Sequence, residues 1–95
     1  MKEPAVYILA SGRRGTLYTG VTSNLPSRVW EHREKIRKGF TTKYHVDRLV
    51  WFEAHDIMET AIRREKQIKE WRRHWKVQLI EATNPDWLDL YDTLF

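Results

Sequence analysis

The stretch AVYILASGRRGTLYTGVTSN, residues 5–24, holds two short apolar runs, each with a tyrosine near its middle. Ala5–Ala10 and Leu17–Val21 are rich in Val, Ile, Leu and Tyr, residues that suit a pleated, partly buried backbone. They predict two β-strands joined by a loop from Ser11 to Thr16, longer than a two-residue hairpin turn. Arg13 and Arg14 at its tip read as solubilising. Once the strands pair, Tyr7 and Tyr18 are either packing residues or two phenols brought to one place.

Working outward, a helix is expected to begin at Asn24, a good N-cap, with Pro26 tolerated in the first turn. It should end before Gly39, which suits a C-terminal cap. Phe40–Val46 reads as a loop and Leu49–Ala54 as a third strand. A second helix is predicted after Asp56, with Glu59 completing a capping-box pattern, and runs to about Glu70. Residues 71–82 suggest a third helix, and NPDWLDLYDTLF a short terminal one with Asn84 as cap and Pro85 in its first position. The order β-β-α-β-α-α predicts an α+β fold, a small three-stranded antiparallel sheet flanked by helices.

A chain of 95 residues, 41% hydrophobic, has room for one core, so residues 1–95 are expected to form a single domain. Cysteine is absent, which excludes disulfides, thiolate metal sites and cysteine nucleophiles. The segment after Met1 lacks the apolar stretch of a signal peptide, and no apolar run approaches membrane-spanning length. A cytoplasmic protein with no membrane partner is expected. The net charge of +4 is unevenly spread. Residues 28–48 carry seven basic side chains against three acidic, and residues 63–76 seven against two. Residues 77–95 have no Lys or Arg and four carboxylates. Two solvated helix faces would explain this pattern, and so would a basic surface for a phosphate backbone.

Two polar residues fall where core is expected. Leu25, Val29 and Ile36 define an apolar stripe on the first helix. His32 lies in its middle and Arg28 on its edge, one turn earlier. On the second helix Met58, Ala61, Ile62 and Ile68 define the stripe, and Glu65 falls at its centre. A carboxylate there is costly unless paired, hydrogen-bonded or bound to a cation. His32 as a hydrogen-bonded core residue and Glu65 as an ion-pair partner of Arg28 or Lys69 are the structural readings. The other reading is a phosphodiester site, with both tyrosines, the Arg/His pair and the carboxylate converging at one edge of the sheet.

Taken in order, these residues resemble the GIY-YIG nuclease superfamily, particularly its small single-domain bacterial branch. Ala5-Val6-Tyr7 stands where the first motif has Gly-Ile-Tyr, and Tyr18-Thr19-Gly20 stands for Tyr-Ile-Gly. VTSNLPSRVWEH brings Arg28 and His32, and AIRREKQIKEW supplies Glu65, so the resemblance spans about residues 4–88. Ala5 replaces the first glycine and Thr19 the second isoleucine; neither change removes a chemical group. The family's late asparagine has a candidate in Asn84, which a helix cap explains equally well.

The resemblance implies a metal-dependent endonuclease cutting nucleic-acid phosphodiesters, DNA before RNA, in a setting such as structure-selective repair or recombination. It implies Tyr7, Tyr18, Arg28, His32 and Glu65 as the catalytic set, lining one shallow, solvent-reachable concavity. Glu65 would bind one divalent ion, Mg²⁺ or Mn²⁺, and Tyr7 would act as general base toward water. Arg28 would clamp phosphoryl charge, and Tyr18 and His32 would position water or phosphate. Lys43, Arg63, Arg64, Lys66 and Lys69 are the candidates for backbone contacts. The five tryptophans are assigned to packing rather than base stacking. A protein partner could supply specificity to so small a chain. The alternatives are a non-catalytic nucleic-acid-binding module on the same scaffold and a protein-interaction domain whose basic helices dock an acidic partner.

Overall fold

Every residue of strand β1, Ala5–Ala10, is buried. That is why its sequence is apolar without alternation: β1 is the middle strand, covered on both faces. The structure is a computed structural model and describes residues 3–36 and 39–95. After β1 come β2 (Leu17–Thr22), α1 (Leu25–Arg33), α2 (Phe40–Lys43), β3 (Arg48–Ala54), α3 (Met58–Glu70), α4 (Arg73–Thr83) and a 3-10 turn over Tyr91–Leu94. The sheet has the order β2-β1-β3, and both outer strands run antiparallel to β1. The expected α+β architecture is therefore present.

Alternation along β1 divides the core into two layers. Ala5, Tyr7 and Leu9 pack with Leu25 and Val29 of α1 and with Val46 and Leu49. Val6, Ile8 and Ala10 pack with Ala61 and Ile68 of α3, Ile80 of α4 and Trp87. A bulge in β3 opposite Ile8 and Leu9 leaves Val50 without a register partner. It turns both Val50 and Trp51 toward the α3/α4 layer, which period-two reading does not anticipate.

Several boundaries differ from expectation. Helix α1 stops at Arg33, well short of Gly39. Lys35 takes the left-handed conformation (φ 55°), Ile36 N–H donates to Glu31 C=O, and Lys35 N–H donates to His32 C=O. This is a Schellman ending built on lysine instead of glycine. Ile36, expected in the stripe, is accordingly exposed, as is Ile62 on α3. Arg37 and Lys38 of the first basic segment lie outside the described residues.

The expected loop at Phe40–Val46 contains the one-turn helix α2. It closes in the same way, with His45 left-handed and the N–H of buried Val46 on Thr41 C=O. The capping box is not formed: α3 has Ile57 at its N-cap with no side-chain cap bond, and Glu59 pairs with Arg63.

The terminal helix expected from Asn84 is replaced by an irregular strap over residues 84–90. Asn84 is instead the C-cap residue of α4. Its amide donates to Val50 C=O and Leu88 C=O, and its Oδ1 accepts from Leu88 N–H. Trp87, fully buried, sits at φ 58°, which breaks any helix continuing through it. The strap returns along β3, where Leu90 N–H donates to Leu49 C=O and Asp89 accepts from Leu49 N–H. It reaches α1 through the Arg33–Asp89 ion pair and Arg33 stacked over Tyr91.

The hairpin tip is tied down rather than merely solvated. Arg14 grips both oxygens of Glu81 at 3.0 Å, and Arg73 donates to the carbonyls of Arg14 and Gly15. The Arg14 guanidinium, with the Trp87 indole N–H, holds the Glu81 carboxyl below the usual carboxylate range.

Candidate active site

Strand register places the two motif tyrosines on one face of the hairpin. Tyr7 pairs with Gly20 and Leu9 with Tyr18, so Tyr7, Tyr18 and Gly20 share the α1 side. Helix α1 is capped by Asn24, whose Oδ1 accepts from Ser27 N–H, and it delivers buried His32 onto the same face. The three rings form a cluster, with centroids 6.3 Å apart for Tyr7–Tyr18, 6.0 Å for Tyr7–His32 and 5.6 Å for Tyr18–His32.

The glycine of the second motif has a steric cause. A Cβ at Gly20 would lie 2.5 Å from the Tyr7 hydroxyl oxygen and 2.6 Å from its nearest ring carbon. The Tyr7 ring lies directly over the Gly20 backbone, and only glycine leaves it room.

His32 bridges two hydroxyls. Tyr7 Oη lies 3.2 Å from Nε2, and Thr41 Oγ1 lies 3.0 Å from Nδ1. Each hydroxyl can donate or accept, so the chain Tyr7–His32–Thr41 has two proton orders related by the imidazole tautomer. Thr41, buried on α2, is a residue that sequence reasoning missed. It is nine positions from His32, beyond any helical spacing, and its segment reads as loop. Thr41→Val keeps the shape and removes this hydroxyl; we expect a loss of about 1 kcal/mol in urea unfolding, the usual worth of one such bond. A change in the His32 tautomer, read from its ring-nitrogen NMR shifts, should accompany it. An unchanged tautomer would mean the contact does not set its proton position.

Arg28 lies one turn before His32, half-buried, with Nε 3.3 Å from Glu31. Glu65 lies on α3, whose buried residues belong to the opposite core layer; α3 packs against β1 and the edge strand β2. The Glu65 side chain is 12% exposed and accepts from Lys69 at 2.8 Å, the second of its two sequence-suggested partners. The five residues do not line one solvent-reachable concavity as expected, because Tyr7 is fully buried; the ring contacts unite Tyr7, Tyr18 and His32. Arg28 is adjacent along α1, and Glu65 is on a helix beneath the sheet. Tyr7 has no solvent-exposed surface; Tyr18 and Arg28 are partly exposed.

Of the proposed backbone contacts, Lys43 and Lys66 are exposed, with the Lys43 ammonium 5.4 Å from the Tyr44 ring centroid. Arg63 pairs with Glu59, Arg64 with Glu53, and Lys69 with Glu65. Trp51 and Trp87 are buried and Trp71 is half-buried, whereas Trp30 and Trp75 expose nearly half their surface. Packing accounts for the first three and not fully for the last two. Asn84 spends both amide hydrogens and its oxygen on backbone groups, the work of a structural clamp.

A model of the GIY-YIG catalytic domain family matches residues 3–78. A UPF0213 protein of Syntrophus aciditrophicus is 38% identical over 87 residues, covering 90% of this chain and 98% of that protein. A UPF0213 protein of Clostridium perfringens is 36% identical over 77 residues, covering 81% and 82%. The solution NMR structure of a UPF0213 protein of Bacillus halodurans superposes with a TM-score of 0.54 at 30% identity, covering 86% of each chain. The matched region takes in the tyrosine hairpin, the helix of Arg28 and His32 and the helix of Glu65, and the chain belongs to the GIY-YIG nuclease superfamily.

Proposed function

We propose that this protein is a divalent-metal-dependent endonuclease that hydrolyses phosphodiester bonds in DNA and selects substrates by shape rather than sequence. The observation that carries the reading is the meeting of Tyr7, Tyr18 and His32 on one face of the hairpin.

Tyr7 is the proposed general base toward water. An isolated phenol, with a pKa of about 10, is a weak base at neutral pH. With Nδ1–H donating to Thr41, His32 presents its Nε2 lone pair to the Tyr7 O–H and can take that proton. A cationic neighbour would have to favour the phenolate that results, and Arg28, one turn before His32 on α1, is the candidate for it. Arg28 also clamps charge developing on the phosphoryl oxygens, exchanging a partly exposed carboxylate for phosphate. Tyr18, the reachable phenol, orients water or phosphate. Because Tyr7 has no exposed surface, its role requires a rearrangement that lets water reach its hydroxyl while the His32 contact is kept.

Glu65 would hold the ion. Once Lys69 yields it, a single inward carboxylate suits Mg²⁺ or Mn²⁺, since Mg²⁺ commonly takes one or two carboxylates and completes its shell with water and phosphate oxygens. Among the described residues no three His, Asp or Glu side chains gather into an all-protein cage. When bound, the ion supplies Lewis-acid stabilisation of phosphoryl charge. Lys43, Arg63, Arg64, Lys66 and Lys69 would hold the phosphate backbone, giving affinity without sequence information.

A second reading, the same scaffold binding nucleic acid without turnover, is favoured by the complete burial of Tyr7 and the placement of α3. Labelled linear, nicked, flap and branched DNAs incubated with Mg²⁺ or Mn²⁺ separate the two. Ion-dependent cleavage with a shape preference is expected. Salt-sensitive binding with every strand left intact would establish the second reading instead. In either case affinity should fall steeply with salt, and Lys66→Ala should lower the log–log slope by about 1. An affinity indifferent to salt would count against both.

A further inference from the structure

Helices α3 and α4 meet at an elbow where two indoles form an open corner. The Trp71 and Trp75 rings stand nearly perpendicular, 81° apart with centroids 6.2 Å apart. Together with Gln78 and Leu79 they line a shallow, wide-open depression on the surface. Trp75 keeps 48% of its surface exposed. Gln78 and Leu79 lie three and four positions after Trp75 on α4, and the N-cap residue Arg72 three before it, so they flank Trp75 along one stripe.

The surroundings of this corner are cationic. Arg64, itself paired with Glu53, stacks over the Trp71 ring at 5.4 Å, and Arg72 and Arg73 are exposed beside it in sequence, against one exposed carboxylate, Glu70. A cationic rim fits an acidic protein or a phosphate chain, and the two indole faces favour the second. A flat, π-faced group attached to a phosphate chain matches all three features: indole faces for stacking, the Gln78 amide for a polar base edge, and cations for the adjoining phosphates. A base pair inside a duplex cannot enter, because both of its faces are already stacked.

We propose that the Trp71/Trp75 corner is a stacking site for an unpaired nucleobase. On the nuclease reading, on which this inference rests, the substrate is DNA with a single-stranded or frayed segment next to the cleaved duplex. Arg73 ties the start of α4 to the hairpin tip, and β2 leads from that tip directly to Tyr18. The corner lies on the α3/α4 side of the sheet and the tyrosine cluster on its α1 side, linked through the hairpin tip.

The test compares binding of a labelled oligo-dT of about twelve nucleotides, within the reach of a small single-strand site, with binding of a blunt duplex. Wild type, Trp75→Ala, Trp75→Leu and Trp75→Phe are measured at one salt concentration, with thermal melts as the folding control. Loss of one stacked base corresponds to roughly a ten-fold weaker oligo-dT affinity. The alanine and leucine variants should show it, while duplex affinity stays within about two-fold. Leucine preserves apolar packing and removes only the π-face; phenylalanine should recover most of the affinity. Equal losses on oligo-dT and duplex, or no loss on oligo-dT in the leucine variant, would overturn the stacking site. Trp75-dependent oligo-dT binding by a protein that cleaves nothing would uphold the site and reject the nuclease reading instead.

Discussion

Replacing Glu65 by glutamine is expected to leave a folded protein that binds DNA as wild type does and has lost cleavage by about 10²–10³-fold. That is the scale of removing one group that stabilises developing charge. Stability should barely change. The partner of Glu65 is Lys69, one helical turn away and half exposed, so the variant strands no buried cation. An i,i+4 pair of this kind contributes about 0.3–0.5 kcal/mol. The corresponding shift in melting temperature is about 1–4 °C for a chain of this size, and relief of a mostly buried carboxylate works in the opposite direction. Melts with and without Mg²⁺ add an independent readout: wild type should gain stability from the ion and the variant should not. Undiminished Mg²⁺-dependent cleavage would take Glu65 out of the metal role and strengthen the non-catalytic reading. A loss of about 3–5 kcal/mol, as for a broken buried pair, would make its role structural.

The second large effect concerns Gly20. Adding a methyl group there drives a Cβ to within 2.5 Å of the Tyr7 hydroxyl and 2.6 Å of its ring. The ring has no free volume to retreat into, being fully buried in the middle strand. Gly20→Ala should therefore cost about 3 kcal/mol, the upper end of the range for overpacked cores. In a Tyr7→Leu background the obstructing ring is gone, and the same change should cost less than about 1 kcal/mol. The coupling of about 2 kcal/mol, read from urea unfolding of the four proteins in the cycle, would assign the motif glycine to accommodation of the motif tyrosine. Additive losses would assign it to the strand backbone alone.

The parts of this molecule that were legible in its sequence are those governed by short-range periodicity. The hairpin, the third strand and helix α3 follow from apolar pattern and propensity. The inward positions of His32 and Glu65 follow from the helical repeat. Both residues were conspicuous because a polar group on an apolar stripe needs a partner, and each has one, Thr41 and Tyr7 for His32 and Lys69 for Glu65. The ordered tyrosine, arginine, histidine and glutamate positions were enough to indicate the family.

Tertiary structure alone decided the remainder. Thr41 reaches His32 because Lys35 and His45 adopt left-handed conformations that close two short helices, and nothing in a lysine or histidine announces that geometry. Its cost is offset by contacts formed only after folding, among them the burial of Val46 and of the Thr41 side chain. Asn84 and Trp87 read as the start of a helix, yet the amide clamps Val50 and Leu88 and the indole fills the α3/α4 layer. The free energy of burying Trp87 and satisfying Asn84 exceeds the modest preference of NPDW for a helical turn. Periodicity reports neighbours up to about four residues apart. The contacts that shape this site join residues nine, thirteen and twenty-five positions apart: Thr41 to His32, Gly20 to Tyr7 and His32 to Tyr7. Such pairs exist only once the sheet and its covering helices have closed around them.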